Sequence, residues 1–411
     1  MELQVFTLPN GIRLVHRFIP NVVAHFGIFV AAGTRNEKER EHGIAHFIEH
    51  TIFKGTEKRT VYHILNRLEN VGADLNAYTS KEETCFYATF LNEYYERTLE
   101  LFQDILFHSI FPLKELEKEK QVVMDEIKSY QDTPAEQIFD DFEDLVFDGH
   151  PLGKNILGTA RNLKLLKRQD VLDFIRNNYQ LKEMVLVSVG NIPFNKLVRL
   201  VMKYFNTSPE RGETPLHLPF TGYIPKQKTL KKKTNQVHCI LGSIAYAYSD
   251  ERRIPLALLN NMLGGPILNS RLSLALRERN GLTYHNESNY TSYSDSGIVS
   301  IYFGTDPSLY PKALEIVHKE LKKLRTQKLT KIQLHTIQKQ LIGQLAIAQE
   351  SNLGQMLAIG KSYLLQNRFD PIETLISRIR FTTAEELLEI ANEIFEPERL
   401  TMLTFHPGPI A

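Results

Sequence analysis

The chain is nearly without cysteine: Cys85 and Cys239 are the only two in 411 residues, and no Cys-x-x-Cys occurs. That excludes a structural zinc site built on thiolates and fits a reducing compartment. Both cysteines fall in apolar runs of strand character, where a free thiol packs as a small hydrophobe. An excess of either charge is also missing. Lys plus Arg is 49 and Asp plus Glu is 48, for a formal net charge of +1. Such balance argues against a protein held to nucleic acid mainly by phosphate contacts. The run Lys231-Lys232-Lys233 is local, as on a solvated strand edge or linker. No apolar run reaches the roughly 20 residues of a membrane-spanning helix. The opening MELQVFTLPNGIRLVHRF has neither the basic head nor the apolar core of a secretory signal. A soluble cytoplasmic chain, with no membrane and no nucleic-acid partner, is expected.

What is present reads as two domains, since 411 residues are too many for one core. The first residues read as strands around the turn Pro9-Asn10-Gly11. Helical periodicity follows from Gly43 past Phe53, over Thr60–Glu69, Asn92–Phe107 and Lys114–Tyr130. Between Thr207 and Lys228 four prolines occur without periodicity, which predicts a linker over 209–225. Beyond it the pattern repeats. IAHFIEHTIFKG from Ile44 lies over IPLALLNNMLGG from Ile254, and ETCFYATF lies over SGIVSIYF from Ser296. DVLDFIRNNYQLKEMVLVSV lies over ELLEIANEIFEPERLTMLTF. The expectation is an α+β protein of two homologous domains, 1–208 and 226–411. Each would hold a mostly antiparallel mixed sheet with helices packed on one face.

The copies differ in chemistry. His46, Glu49 and His50 of the first stand where the second has Leu256, Leu259 and Asn260. On a helix, positions i and i+4 share a face, so His46 and His50 can bind one ion, with Glu49 beside them. His-x-x-Glu-His reverses the order of His-Glu-x-x-His and carries the same elements. A surface histidine pair or a helix cap would look the same in five residues. A catalytic zinc needs a third protein ligand and a base for its water. The third ligand is sought in ELEKEKQVVMDEIKSYQDTP, where Glu119 and Glu126 are two helical turns apart. Glu126 falls within an apolar stripe of Val122, Val123 and Ile127, which predicts partial burial. The matching helix of the second copy, TKIQLHTIQKQLIGQLAIAQ, has no acid. His42 precedes Gly43 and reads as a capping or surface residue.

With these motifs the chain resembles the M16 family of inverzincin peptidases, the pitrilysin and mitochondrial-processing-peptidase type, and most of all its short bacterial branch. The resemblance rests on His46, Glu49, His50, Glu119 and Glu126, on the flanks GIAHFIEHTIFKGT and GADLNAYTSKEETCFY, and on SRLSLALRERNGLTY in the second copy. It implies one zinc ion per chain, held by His46, His50 and Glu126, with Glu49 as general base. Glu119 would be a carboxylate behind the ligands or against the substrate. Phe53 would line the pocket after the scissile bond. Asn76 and Ala77 would lie on an edge strand that pairs with substrate backbone. Arg277 and Tyr284 would bind the substrate and its developing oxyanion. Without the resemblance, RERNGLTY is a charged helix end capped by Gly281. One departure is Gly264-Gly265-Pro266, where the family often has three glycines: Pro266 has no N–H to offer a substrate. The family's long members close a chamber from four such copies. This chain would then act on peptides or unfolded segments as a homodimer with composite active sites. A non-catalytic scaffold or assembly subunit, or one chain of a heteromeric peptidase, are the competing readings.

Overall fold

The computed structural model describes residues 3–206 and 218–408. The chain opens with β1 (Gln4–Thr7), β2 (Arg13–Phe18) and β3 (Val23–Val30), then α1 (Ile44–Thr51) and α2 (Val61–Glu69). The hairpin of β4 (Asp74–Thr79) and β5 (Thr84–Leu91) leads to α3 (Tyr95–His108), α4 (Leu113–Gln131) and α5 (Pro134–Val146). Next come α6 (Ala160–Leu165), α7 (Arg168–Asn178), β6 (Met184–Gly190) and α8 (Phe194–Phe205). The second half holds β7 (Gln227–Lys232), β8 (Val237–Ala245), α9 (Arg253–Gly264), β9 (Asn286–Ser292) and β10 (Gly297–Thr305). It continues with α10 (Tyr310–Thr326), α11 (Lys331–Ala348), α12 (Asn352–Gln366), α13 (Ile372–Phe381), α14 (Ala384–Ile394) and β11 (Thr401–Pro407). Of the expected linker, 209–217 lie outside the described residues, and 218–226 run without helix or strand into β7.

The Pro9-Asn10-Gly11 turn forms as expected. Gly11 takes φ +92° and its N–H donates to Leu8, while β1 and β2 pair antiparallel on either side. The first sheet has the order β1-β2-β6-β3-β5-β4, and the second the order β7-β11-β8-β10-β9. β2 runs parallel to β6, and β7 runs parallel to β11; every other pairing is antiparallel. The second sheet thus repeats the last five positions of the first, strand for strand, which is the expected duplication in three dimensions. Cys85 and Cys239 are buried free thiols on β5 and β8, and the lysine run extends from the exposed outer strand β7.

Alternation decides what each sheet face buries. In the first sheet Leu14, Phe26, Ile28, Val30, Met184 and Leu186 face a core closed by α1, α3, α7 and α8. The intervening Val15, Phe29, Val185, Val187 and Val189 face Met356 and Ile359 of α12. Helices therefore cover both faces rather than one, and the all-buried pattern of β6 follows from that. The fit under α12 is close. A Cβ on Gly360 would lie 2.1 Å from the Phe29 ring, and one on Gly27 would lie 2.7 Å from the Met356 sulfur. In the second sheet the corresponding cover is α5, whose Ile138, Phe142 and Val146 pack on Ile240, Ile298, Leu403 and Phe405.

The two compact units are consequently not the contiguous stretches 1–208 and 226–411. One gathers Met1–Ile127, Lys154–His217 and Ala348–Phe369; the other gathers Lys128–Gly153, Leu218–Ile347 and Asp370–Ala411. The physical reason is the pair of covering helices, each coded in one repeat and packed on the sheet of the other.

Candidate metal centre

The site starts from α1, IAHFIEHT. Ile44, Phe47 and Ile48 are buried in the first unit's core, which turns His46, Glu49 and His50 to the adjoining side. The helix has no side-chain cap at its own first position, which is Gly43 at φ +96°. Its free N–H groups are met from upstream instead. The Glu37 carboxylate accepts from the N–H of Gly43 and of Ala45, each at 2.9 Å. A carboxylate there suits the positive end of the helix. Burial nevertheless pushes the Glu37 carboxyl up to about 8, against the pull of those two N–H groups and Lys154. Gly43 also lies against Gly158, where a Cβ would meet Leu157 O at 2.8 Å. His42 is a cap, as expected, at the end of the 3-10 turn Glu39–Glu41; it is half-buried, and its Nε2 lies 2.8 Å from Asn155 O, so the loop packed against Gly43 holds it.

His46 and His50 stand one turn apart, ring centroids 4.6 Å apart. Glu126 of α4 reaches both, with Oε1 3.9 Å from His46 Nε2 and Oε2 3.5 Å from His50 Nε2. One ligand atom from each of the three lies within 4.8 Å of the others. Tetrahedral zinc with bonds of roughly 2.0–2.1 Å sets its ligand atoms about 3.3 Å apart, so the spacing needs only small adjustments. The donor set of two imidazoles and one carboxylate also suits zinc, and three ligands leave one position open. Burial and the neighbouring His50 push His46 down to about 4, so it is neutral and keeps a lone pair at neutral pH. His46 Nδ1 is buried without a hydrogen-bond partner. These residues fit the metal.

Glu49 lies beside this set. Its Oε2 accepts from Thr79 Oγ1 at 2.6 Å. Burial pushes its carboxyl up; Thr79 and His50 pull it down, and Glu126 pushes it up again. Glu119 backs the other side of His50. Its Oε1 is 3.5 Å from His50 Nδ1, and its Oε2 is 2.9 Å from Lys54 Nζ.

Glu126, expected to be partly buried, is the more exposed of the two α4 acids. The Glu119 side chain is 11% exposed and that of Glu126 is 43% exposed. The apolar stripe around Glu126 is narrower than the sequence suggests, because Val122 is half exposed and only Val123 and Ile127 are buried. Phe53 packs edge-on against Phe86 at the margin of the core. Asn76 and Ala77 are on β4, an edge strand of the first sheet, as expected. Arg277 and Tyr284 belong to the second unit. Arg277 is the penultimate residue of a π-helical turn, Ser273–Glu278, and the Gly281 N–H, at φ +59°, donates to its carbonyl. Both side chains are exposed, Tyr284 by 88%. In the second unit, Asn260, the counterpart of His50, is tied instead to Ser288 of β9. Sequence reasoning missed Glu37, Lys54 and Thr79. Only Lys54 left a trace, as the next step of the four-residue ladder His46, His50, Lys54.

The comparisons divide the chain as the chemistry does. Residues 16–160, which hold His46, His50 and Glu126, match the family described as insulinase, peptidase family M16. Residues 166–341 match the peptidase M16 inactive domain. An uncharacterized zinc protease of Bacillus subtilis, YmxG, is 33% identical over 392 residues, 95% of each chain. An uncharacterized zinc protease of Streptomyces coelicolor is 31% identical over 94% of this chain and 86% of its own. Among solved structures, a protease from Helicobacter pylori shares the fold with a TM-score of 0.91 at 21% identity, covering 99% of both chains. A Pseudomonas fluorescens structure titled as a peptidase M16 inactive domain gives 0.92 at 17% identity, over 100% of this chain and 99% of its own. With the metal-site half and the half that lacks it both matched, and relatives of that identity running nearly end to end, the chain belongs to peptidase family M16.

Proposed function

We propose that this M16 metallopeptidase hydrolyses peptide bonds with zinc held by His46, His50 and Glu126. The convergence of those three ligand atoms within 4.8 Å carries the reading. When bound, zinc supplies a water of lowered pKa and a positive charge beside the scissile carbonyl. Glu49 takes the proton of the attacking water and returns it to the leaving amine. Thr79 holds the Glu49 carboxylate for that transfer, through its hydroxyl at Oε2 and through its backbone N–H. Arg277 and Tyr284 would donate to the carbonyl oxygen as charge develops on it. Neither is closed off in its own unit, in keeping with such a role. Substrate backbone would add to β4 beside Asn76 and Ala77, and Phe53 would border the residue after the cut. The substrates would be peptides or unfolded segments, enclosed between two chains of a homodimer.

The test is direct. The purified chain should bind one zinc and cleave quenched peptides, and Glu49→Gln should keep the zinc and lose the cleavage. A chain with neither zinc nor cleavage would be a scaffold subunit. Full activity in Glu49→Gln would place the base elsewhere.

A further inference from the structure

We propose that Lys54 is a positioning residue for the metal centre, acting through Glu119 on His50; this rests on the zinc reading above. Lys54 follows α1 by three residues and is partly buried, its side chain 26% exposed. Its ammonium is 2.9 Å from Glu119 Oε2, and Glu119 Oε1 is 3.5 Å from His50 Nδ1. His50 Nε2 in turn faces Glu126. Four groups, from α1, the turn after it and α4, therefore make one line of contacts: ammonium, carboxylate, imidazole, carboxylate.

The line has a chemical consequence. An imidazole donates to a metal through a nitrogen that carries no proton, so His50 must keep its proton on Nδ1 when Nε2 is the ligand atom. A carboxylate facing Nδ1 selects that tautomer and makes Nε2 more basic. Glu119 can do this only while it is turned the right way. Lys54 favours that orientation, because it holds the outer oxygen and leaves the inner one toward His50. At 3.5 Å the inner contact is at the long edge of a hydrogen bond, so the carboxylate is aimed rather than clamped. Its aim then depends on the anchor at its other end.

A lysine beside a metal site has an opposite effect through charge alone. Its positive charge repels a dication, so its removal should tighten zinc. Removal of an anchor should loosen zinc. The sign of the effect therefore separates the two roles.

The experiment measures zinc affinity of the full chain by competition with a chromophoric chelator, together with thermal melting of the metal-free protein. Lys54→Met should bind zinc about tenfold more weakly, the size of effect that partners behind metal ligands show. Lys54→Arg should stay close to the wild type. Glu119→Gln should be weakened at least as much as Lys54→Met, and the double variant Lys54→Met/Glu119→Gln should be no weaker than Glu119→Gln alone. The metal-free melting temperature should not move in Lys54→Met, since the side chain is at the margin of the core. Unchanged or tighter zinc in Lys54→Met overturns the positioning role, as do independent losses in the double variant. A wild type that binds no zinc overturns the zinc reading itself and this inference with it.

Discussion

At the scale of single residues, the first copy spends its polar groups on one helix face, and each has an assigned neighbour. Replacing Glu49 by Gln keeps its shape and its bond from Thr79 but removes the base. The expected loss is about 10²- to 10⁴-fold in kcat, read by quenched-peptide cleavage, with bound zinc unchanged. Glu37 gives a different kind of prediction, about stability and pH. Its folded pKa, about 8, is above the ordinary carboxylate value of 4.5. Between those values the folded chain holds a proton that the unfolded chain has released, so stability falls as pH rises through that window and levels off above it. His46 acts with the opposite slope, but only between about 4 and its ordinary 6.5, where stability rises with pH. The range from 6.5 to 8 lies above the His46 window, and comparison with Glu37→Gln isolates Glu37 within it. The urea midpoint of metal-free wild type should fall across it, and that of Glu37→Gln should fall less. Equal slopes would show that Glu37 is already ionised in the fold. Helix spacing made His46, Glu49 and His50 legible in the sequence. Glu37 was not, since it reaches its helix through a turn rather than by periodicity. Thr79 meets the same face only through tertiary folding, which no local pattern encodes, whereas the two-turn spacing from Glu126 marked Glu119.

At the scale of elements, helix and strand positions were largely readable. Gly43 to Phe53 enclosed α1, and Lys114–Tyr130 fell one residue short of α4 at each end. The repeat even aligned α7 and β6 with α14 and β11. The covering helices were not readable. An unbroken apolar run such as Met184–Gly190 says that both sheet faces are buried, but not which segment buries the second. That segment is α12, far downstream, and it fits because Gly360 has no side chain to meet Phe29. Adding one methyl, Gly360→Ala, forces ring or helix to shift and should cost about 1–3 kcal/mol. Equilibrium denaturation checks this. Zinc stoichiometry should hold, because α12 packs on the face of β3 and β6 opposite the one that meets α1. An unchanged denaturation midpoint would mean that α12 is not held where these contacts put it.

At the scale of the whole molecule, the duplication raises the question of what the second copy is for. It kept the fold and lost the ligands: leucines stand where His46 and Glu49 would be, and Asn260 is tied down within its own unit. It also carries Arg277 and Tyr284 on its surface, with the Tyr284 side chain 88% exposed. We propose that Tyr284 completes the site of a second copy of the chain, as the homodimer reading requires. Two inactive variants decide it: Glu49→Gln, which lacks the base, and Tyr284→Phe, which lacks the donor. Mixed dimers formed from both contain one site with neither group and one with both, provided that Tyr284 acts across the dimer. At equal mixing half the dimers are mixed and each holds one whole site, so about a quarter of wild-type cleavage should return. Tyr284 acting within its own chain would restore nothing, because each chain would still lack one group. Two affinity tags, one per variant, report whether subunits exchange. Co-purification of both tags without any recovered cleavage rejects the composite site, and a chain that sediments as a monomer rejects the dimer with it.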